Sequence, residues 1–154
     1  MRVADSCTRV DDTLAIAALY RCLVRFVDRR PEHNSEMTGA SRAIASENLW
    51  RAQRRGVHAS FIDETGAVRS FAEHLAAILA MVAEDGEALG CQHELAHNEL
   101  IASNGTSADH QLAIYAGAVD GSGSRTALTS VVDWLDKNTA LEAEEKILAT
   151  RNAV

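Results

Sequence analysis

Apolar residues at Phe71, Leu75, Ile78, Leu79 and Val82 recur at helical spacing, and Ser70-Phe71-Ala72-Glu73 at their head matches a capping box. Such a run buries one stripe only as an α-helix; as a strand it would divide the same side chains between two faces. This period constrains the chain more than any other feature. The rest of the sequence agrees with it. Pro31 is the single proline in 154 residues, so almost nothing removes a helix N–H. Residues 13–29 are apolar nearly all round, with Leu14, Ile16, Leu19, Tyr20, Leu23, Val24, Phe26 and Val27. A helix with so broad an apolar surface is buried or packs on structure outside the chain. Asp11 or Asp12 would cap it.

Little strand is expected. Residues 2–8 alternate weakly and predict a lone N-terminal strand. Residues 58–63 and 68–70 can pair as a hairpin across Glu64-Thr65-Gly66. Residues 31–39 read as a polar loop. Ser41 then opens a helix that carries Trp50 and Arg51 and stops at Gly56. Gly86 and Gly90 are expected to break the chain, and a helix follows over about 92–103. Thr106 or Ser107 caps the next helix, with Leu112, Tyr115 and Val119. Gly121-Ser122-Gly123-Ser124 reads as a flexible turn, and a last helix holds Leu128, Val131, Trp134 and Leu135. The fold expected is α+β and predominantly helical: one domain over residues 1–138, then a charged tail over 139–154.

Composition narrows the function classes. At 47% hydrophobic the chain can bury a real core. A formal charge of −7 argues against a nucleic-acid-binding surface. No apolar run approaches the length needed to cross a membrane. Met1-Arg2-Val3-Ala4-Asp5 lacks the apolar run of a signal peptide, so a cytoplasmic protein is expected. Cys7, Cys22 and Cys91 show no C-x-x-C spacing and read as reduced thiols.

Against that acidic background, Glu47, Asn48, Arg51, Arg54 and Arg55 fall on one broad helical face. Planar guanidinium forks suit carboxylate and phosphate, so this face is a candidate anion holder. The plain alternative is a solvated charged face. A second motif competes. His93-Glu94-Leu95-Ala96-His97 is a literal H-E-x-x-H, which can share a Zn²⁺ between its histidines, with the Glu as general base. It needs a third ligand. The metzincin extension is broken by Leu100 and Ser103, and His110 is the only nearby candidate. A zinc metalloprotease is therefore the weaker reading. Trp50 and Trp134 read as core anchors.

Three segments carry a family resemblance. They are Arg2-Val3-Ala4-Asp5-Ser6-Cys7-Thr8-Arg9-Val10-Asp11-Asp12, then Asn48-Leu49-Trp50-Arg51-Ala52-Gln53-Arg54 with Gly56, then Gly105-Thr106-Ser107-Ala108-Asp109-His110-Gln111-Leu112-Ala113-Ile114-Tyr115 followed by Val131-Val132-Asp133-Trp134-Leu135. In this order and spacing they resemble the C-terminal portion of the bacterial carboxylate-amine ligases, the type 2 glutamate–cysteine ligase family. The resemblance implies a glutamine-synthetase-like catalytic domain, an antiparallel funnel with helices outside. It implies ATP and Mg²⁺, activation of a carboxylate as an acyl phosphate, and attack by an amine. It places Arg2, Asn48, Arg51 and Arg54 as substrate- or ATP-binding residues, and most metal-binding carboxylates upstream of Met1. His110 departs from the pattern, since family members often carry Arg there. The partners implied are a small carboxylate and a small amine, with a missing N-terminal half or a second copy of the chain. The chain alone is expected to be incomplete and inactive. The alternative in another class is a non-catalytic helical interaction protein using the apolar helix over 13–29.

Overall fold

The structure is a computed structural model, and it describes the backbone of residues 7–35 and 38–152. It is predominantly helical with one small hairpin, and it divides into two compact units, residues 14–104 and residues 105–154 with 1–13. The lone strand expected over 2–8 falls largely outside the described residues; Cys7 and Thr8, which lie inside them, are not strand.

Helix α1 (Val10–Arg29) supplies the core of the first unit. Ala15, Ala18, Cys22 and Phe26 follow one another at helical spacing and are all buried. Ala18, Cys22 and Phe26 pack with Val82, Cys91 and Leu95, and Leu19, Leu23, Val27, Leu79 and Leu89 close around them. The second apolar stripe of the helix, Leu14, Tyr20 and Val24, stays exposed. After a 3-10 turn at Pro31–Asn34 comes α2 (Gly39–Arg55). Its N-cap is Thr38, whose hydroxyl oxygen accepts the Ser41 N–H at 3.1 Å, so the helix starts two residues before the expected Ser41. Gly56, at φ 53°, ends it in a conformation that favours glycine.

The hairpin pairs β1 (Ser60–Ile62) with β2 (Val68–Ser70), Phe61 opposite Arg69. Its turn is organised by Asp63. That carboxylate accepts from the Thr65 N–H (2.9 Å), the Thr65 hydroxyl (2.6 Å), the Ala67 N–H (3.0 Å) and Arg69 Nε (2.9 Å). These bonds, led by the Thr65 hydroxyl, outweigh desolvation and hold the Asp63 carboxyl at about 2. Ser70 then caps α3 (Phe71–Met81) through the predicted capping box with Glu73.

Helix α4 (Ala83–Leu89) corrects the reading of Gly86, which lies inside the helix rather than at a break. A Cβ at Gly86 would meet the Leu95 side chain of α5 (Gln92–Asn104), so the glycine lets two helices approach closely. Only Gly90, in the left-handed region at φ 63°, ends the helix. Asp85 of α4 is fully buried and accepts from Arg25 and from Arg29 Nε (3.0 Å) and Nη2 (2.9 Å), tying α4 to the end of α1. The Arg29 hydrogen bond, then Arg25, keep this carboxyl below the usual carboxylate range although burial opposes it. Asn98 of α5 is buried and donates to the Ala15 carbonyl at 3.1 Å.

In the second unit, Thr106 caps α6 (Ser107–Ser122) through a reciprocal pair with Asp109. The expected flexible turn over 121–124 shrinks to Gly123, at φ 82°, because α6 runs on to Ser122 and α7 (Ser124–Asn152) begins at once. The two helices pack on each other. The His110 ring stacks on Trp134 with centroids 5.6 Å apart, and the Tyr115 hydroxyl meets the Ser124 hydroxyl at 2.8 Å. Helix α7 passes through residue 138 without interruption.

Candidate functional site

The C-terminal end of α2 faces β1 across a shallow depression of about 190 Å³. Glu47, Trp50, Arg51, Arg54, Arg55, Ala59 and Ser60 line it. Three guanidiniums stand there against one carboxylate. Sequence spacing brought Arg51 and Arg54 to one face, and the structure places them together as expected. Their surroundings divide them into different kinds of group.

Arg51 is fixed. Its Nε donates to Glu47 Oε1 at 2.8 Å and its Nη1 donates to the Ser60 carbonyl at 3.1 Å. The first bond is an i,i+4 pair on the helix, and the second reaches the first residue of β1. Arg54 lies over the Trp50 ring, Cζ 5.8 Å from the centroid. Among the described residues neither Arg54 nor Arg55 has a carboxylate partner, so both keep N–H donors for an anion. Trp50 is 55% exposed, not the core anchor its type suggests.

Asn48 faces the other way. Its Nδ2 donates to the Ile62 carbonyl at 2.7 Å and its Oδ1 accepts the Ile62 N–H at 2.8 Å. The side-chain amide thus behaves as a further strand edge for β1. Asn48 and Arg51 together hold β1 against α2, and the Asp63 turn holds β1 against β2. The floor of the depression follows from those three anchors. Arg2 lies outside the described residues. Trp50 belongs to the lining although its type reads as a core anchor, and Arg55, which helical spacing puts on the candidate anion-holding face, belongs to it too. Arg55 shares the helical face of Arg51, and that was the signal available for it.

The donor set has a clear preference. Guanidinium N–H groups beside an exposed indole suit a phosphate or carboxylate with a flat or apolar neighbour. They do not suit Mg²⁺, which needs carboxylate oxygens; Glu47 is the single carboxylate here, and it accepts from Arg51. Elsewhere, His93 is exposed and His97 half-buried one turn apart on α5. Among the described residues no group of three or more His, Cys, Asp or Glu side chains is set to hold a metal ion. None of the described helices is long and apolar enough to cross a membrane.

Comparison with known proteins converges on one family. The profile described as Glutamate-cysteine ligase family 2 (GCS2) matches residues 1–131. A protein of Rhodospirillum rubrum named "Putative glutamate--cysteine ligase 2" is 42% identical over 90% of this chain and 36% of its own length. Proteins of the same name from Bradyrhizobium diazoefficiens and Bradyrhizobium sp. strain ORS 278 are 44% and 42% identical, over 75% and 94% of this chain and 27% and 34% of theirs. The chain therefore spans about a third of the length of these relatives. No solved structure matches it. With the profile covering residues 1–131, this chain belongs to glutamate–cysteine ligase family 2.

Proposed function

We propose that this chain is the C-terminal part of an ATP-dependent carboxylate-amine ligase of the glutamate–cysteine type, within a glutamine-synthetase-like catalytic domain. The family match supports the ligase class, and the guanidinium-lined depression at the end of α2 is the observation that carries a role for these residues. Amide formation from a carboxylate needs a leaving group, which ATP supplies by phosphorylating the carboxylate to an acyl phosphate. Arg54 and Arg55 offer charge-assisted N–H donors to an anionic oxygen of the nucleotide or of the carboxylate substrate. Trp50 gives the bound group an apolar wall. Arg51 and Asn48 act on the frame, holding β1 in place. The described residues do not fit Mg²⁺, so in this reading its ligands come from the rest of the family-length protein, and the chain alone does not turn over. A ligase of this kind works where ATP and free amino acids are held, the cytoplasm.

The exposed stripe of Leu14, Tyr20 and Val24 on α1 favours one second reading, a non-catalytic helical interaction protein. The two readings separate at the depression. In a Trp134→Phe chain, Trp50 is the remaining indole, and titration with tripolyphosphate should change its fluorescence saturably. Arg54→Ala or Arg55→Ala should weaken that binding about tenfold or more, the effect of losing one charge-assisted contact. No response, or a response that both substitutions leave untouched, would remove the depression from the account and favour the second reading.

A further inference from the structure

Cys22 and Cys91 are 69 residues apart in sequence, yet their Sγ atoms lie 3.6 Å apart. Both are free thiols, and both sit in the core with Ala18, Phe26, Val82 and Leu95. The depression at α2 uses neither. We infer that Cys22 and Cys91 form an oxidisable dithiol, a modification site whose disulfide would pin α1 to the start of α5.

The geometry is close to what the bond requires. A disulfide holds its sulfurs about 2.05 Å apart, so they must approach by about 1.5 Å. Cys91 stands in the short connection between α4 and α5, next to the left-handed Gly90; its N–H donates to the Gly86 carbonyl and its carbonyl accepts the Leu95 N–H, both at 3.0 Å, so the approach falls to rotation of the side chains. Cys22 is fixed in mid-helix on α1. The two thiols also differ in role. Cys22 has no exposed surface, whereas Cys91 keeps 6% of its own. Burial, then the contact with Cys91, pushes the Cys22 thiol up to about 11, so it stays protonated at neutral pH. Cys91 is therefore the sulfur that meets a small oxidant.

The oxidant is a hydroperoxide. The Cys91 sulfur attacks the terminal oxygen of hydrogen peroxide, the O–O bond breaks, and the departing hydroxide takes a proton to leave as water. Cys91 is then a sulfenic acid. The Cys22 sulfur attacks the Cys91 sulfur, the S–O bond breaks, and the Cys22 proton leaves with the hydroxyl as a second water. Two thiols lose two electrons and one peroxide gains them. The burial that raises Cys22 makes the second step slow, which suits a response to sustained peroxide.

The test uses the whole chain, reduced and then treated with hydrogen peroxide. Alkylation under denaturing conditions should find three thiols before treatment and one, Cys7, after it. Peptide mapping should recover a Cys22–Cys91 cross-link that dithiothreitol reverses. Thermal melting of the oxidised protein should shift upward by about 10 °C, because the bond closes a long loop in the unfolded chain. Cys7→Ser should leave the cross-link unchanged, and Cys91→Ala should abolish it together with the shift. If Cys91→Ala does not fold, the map of the unaltered chain decides. Sulfinic or sulfonic acid at Cys91 without a cross-link, or cross-links formed only through Cys7, would overturn the inference.

Discussion

Replacing Gly86 with alanine sets two effects against each other. In a helix interior alanine is better than glycine by about 1 kcal/mol, so α4 alone predicts stabilisation. The added methyl, however, would meet the Leu95 side chain. Leu95 is 6% exposed and packed among Ala18, Cys22, Phe26, Val82 and Cys91, so it cannot swing aside freely. Overpacking of this kind costs about 1–3 kcal/mol. The net expectation for Gly86→Ala is destabilisation by about 1 kcal/mol, a fall of a few degrees in Tm. Context supplies the decisive control. Leu95→Ala costs about 2–5 kcal/mol by itself because it leaves a cavity. In that background the Gly86→Ala methyl has room, and the substitution should stabilise by up to about 1 kcal/mol. Urea unfolding followed by circular dichroism on the four proteins, with equal m-values, gives the coupling directly. If Gly86→Ala stabilises the chain with Leu95 intact, or acts alike in both backgrounds, close approach is not the reason for glycine here.

Asn48→Ala should destabilise by about 1–3 kcal/mol, because the half-buried Ile62 backbone loses the side-chain partner of both its N–H and its carbonyl; hydrogen exchange at the Ile62 amide should rise with it, and an unprotected amide in the parent chain would contradict the pairing. Asp63 has its carboxyl lowered from 3.8 to about 2, so its stabilisation is complete above 3.8 and is lost as pH falls through about 2. Asp63→Asn should therefore flatten the acid side of the stability curve in that window, and an unchanged curve would show that the turn bonds are not formed. Asp85→Asn should lower Tm, since it leaves Arg25 and Arg29 around a neutral amide; a Tm equal to the parent's would mean that the pairs do not hold α4 to α1.

Local signals were legible and tertiary ones were not. The Ser70–Glu73 capping box, the helix after it and the hairpin position were plain because each is decided within a few residues. Gly86 was misread because a glycine that ends a helix and one that admits a neighbouring helix look the same in sequence; Leu95, the residue that distinguishes them, is nine positions away. Asn48 shared a helical face with arginines, but its partner is the backbone of Ile62, set by a turn that Asp63 builds. The same limit applied to the candidate site. Spacing put Arg51, Arg54 and Arg55 together, yet only coordinates show Arg51 engaged by Glu47 and Ser60 while Arg54 rests on an exposed Trp50.

The central proposal is that these residues belong to a ligase that activates a carboxylate by phosphorylation. The most direct measurement follows an oxygen atom. Glutamate labelled with ¹⁸O in its side-chain carboxylate is incubated with cysteine, ATP and Mg²⁺, using the chain and a longer protein in which the same residues continue into a family-length polypeptide. The account predicts that the longer protein releases phosphate carrying one ¹⁸O for each amide formed, that Arg54→Ala slows this by about tenfold or more, and that the chain alone releases none. Amide formed with unlabelled phosphate, or turnover by the chain alone, would contradict it.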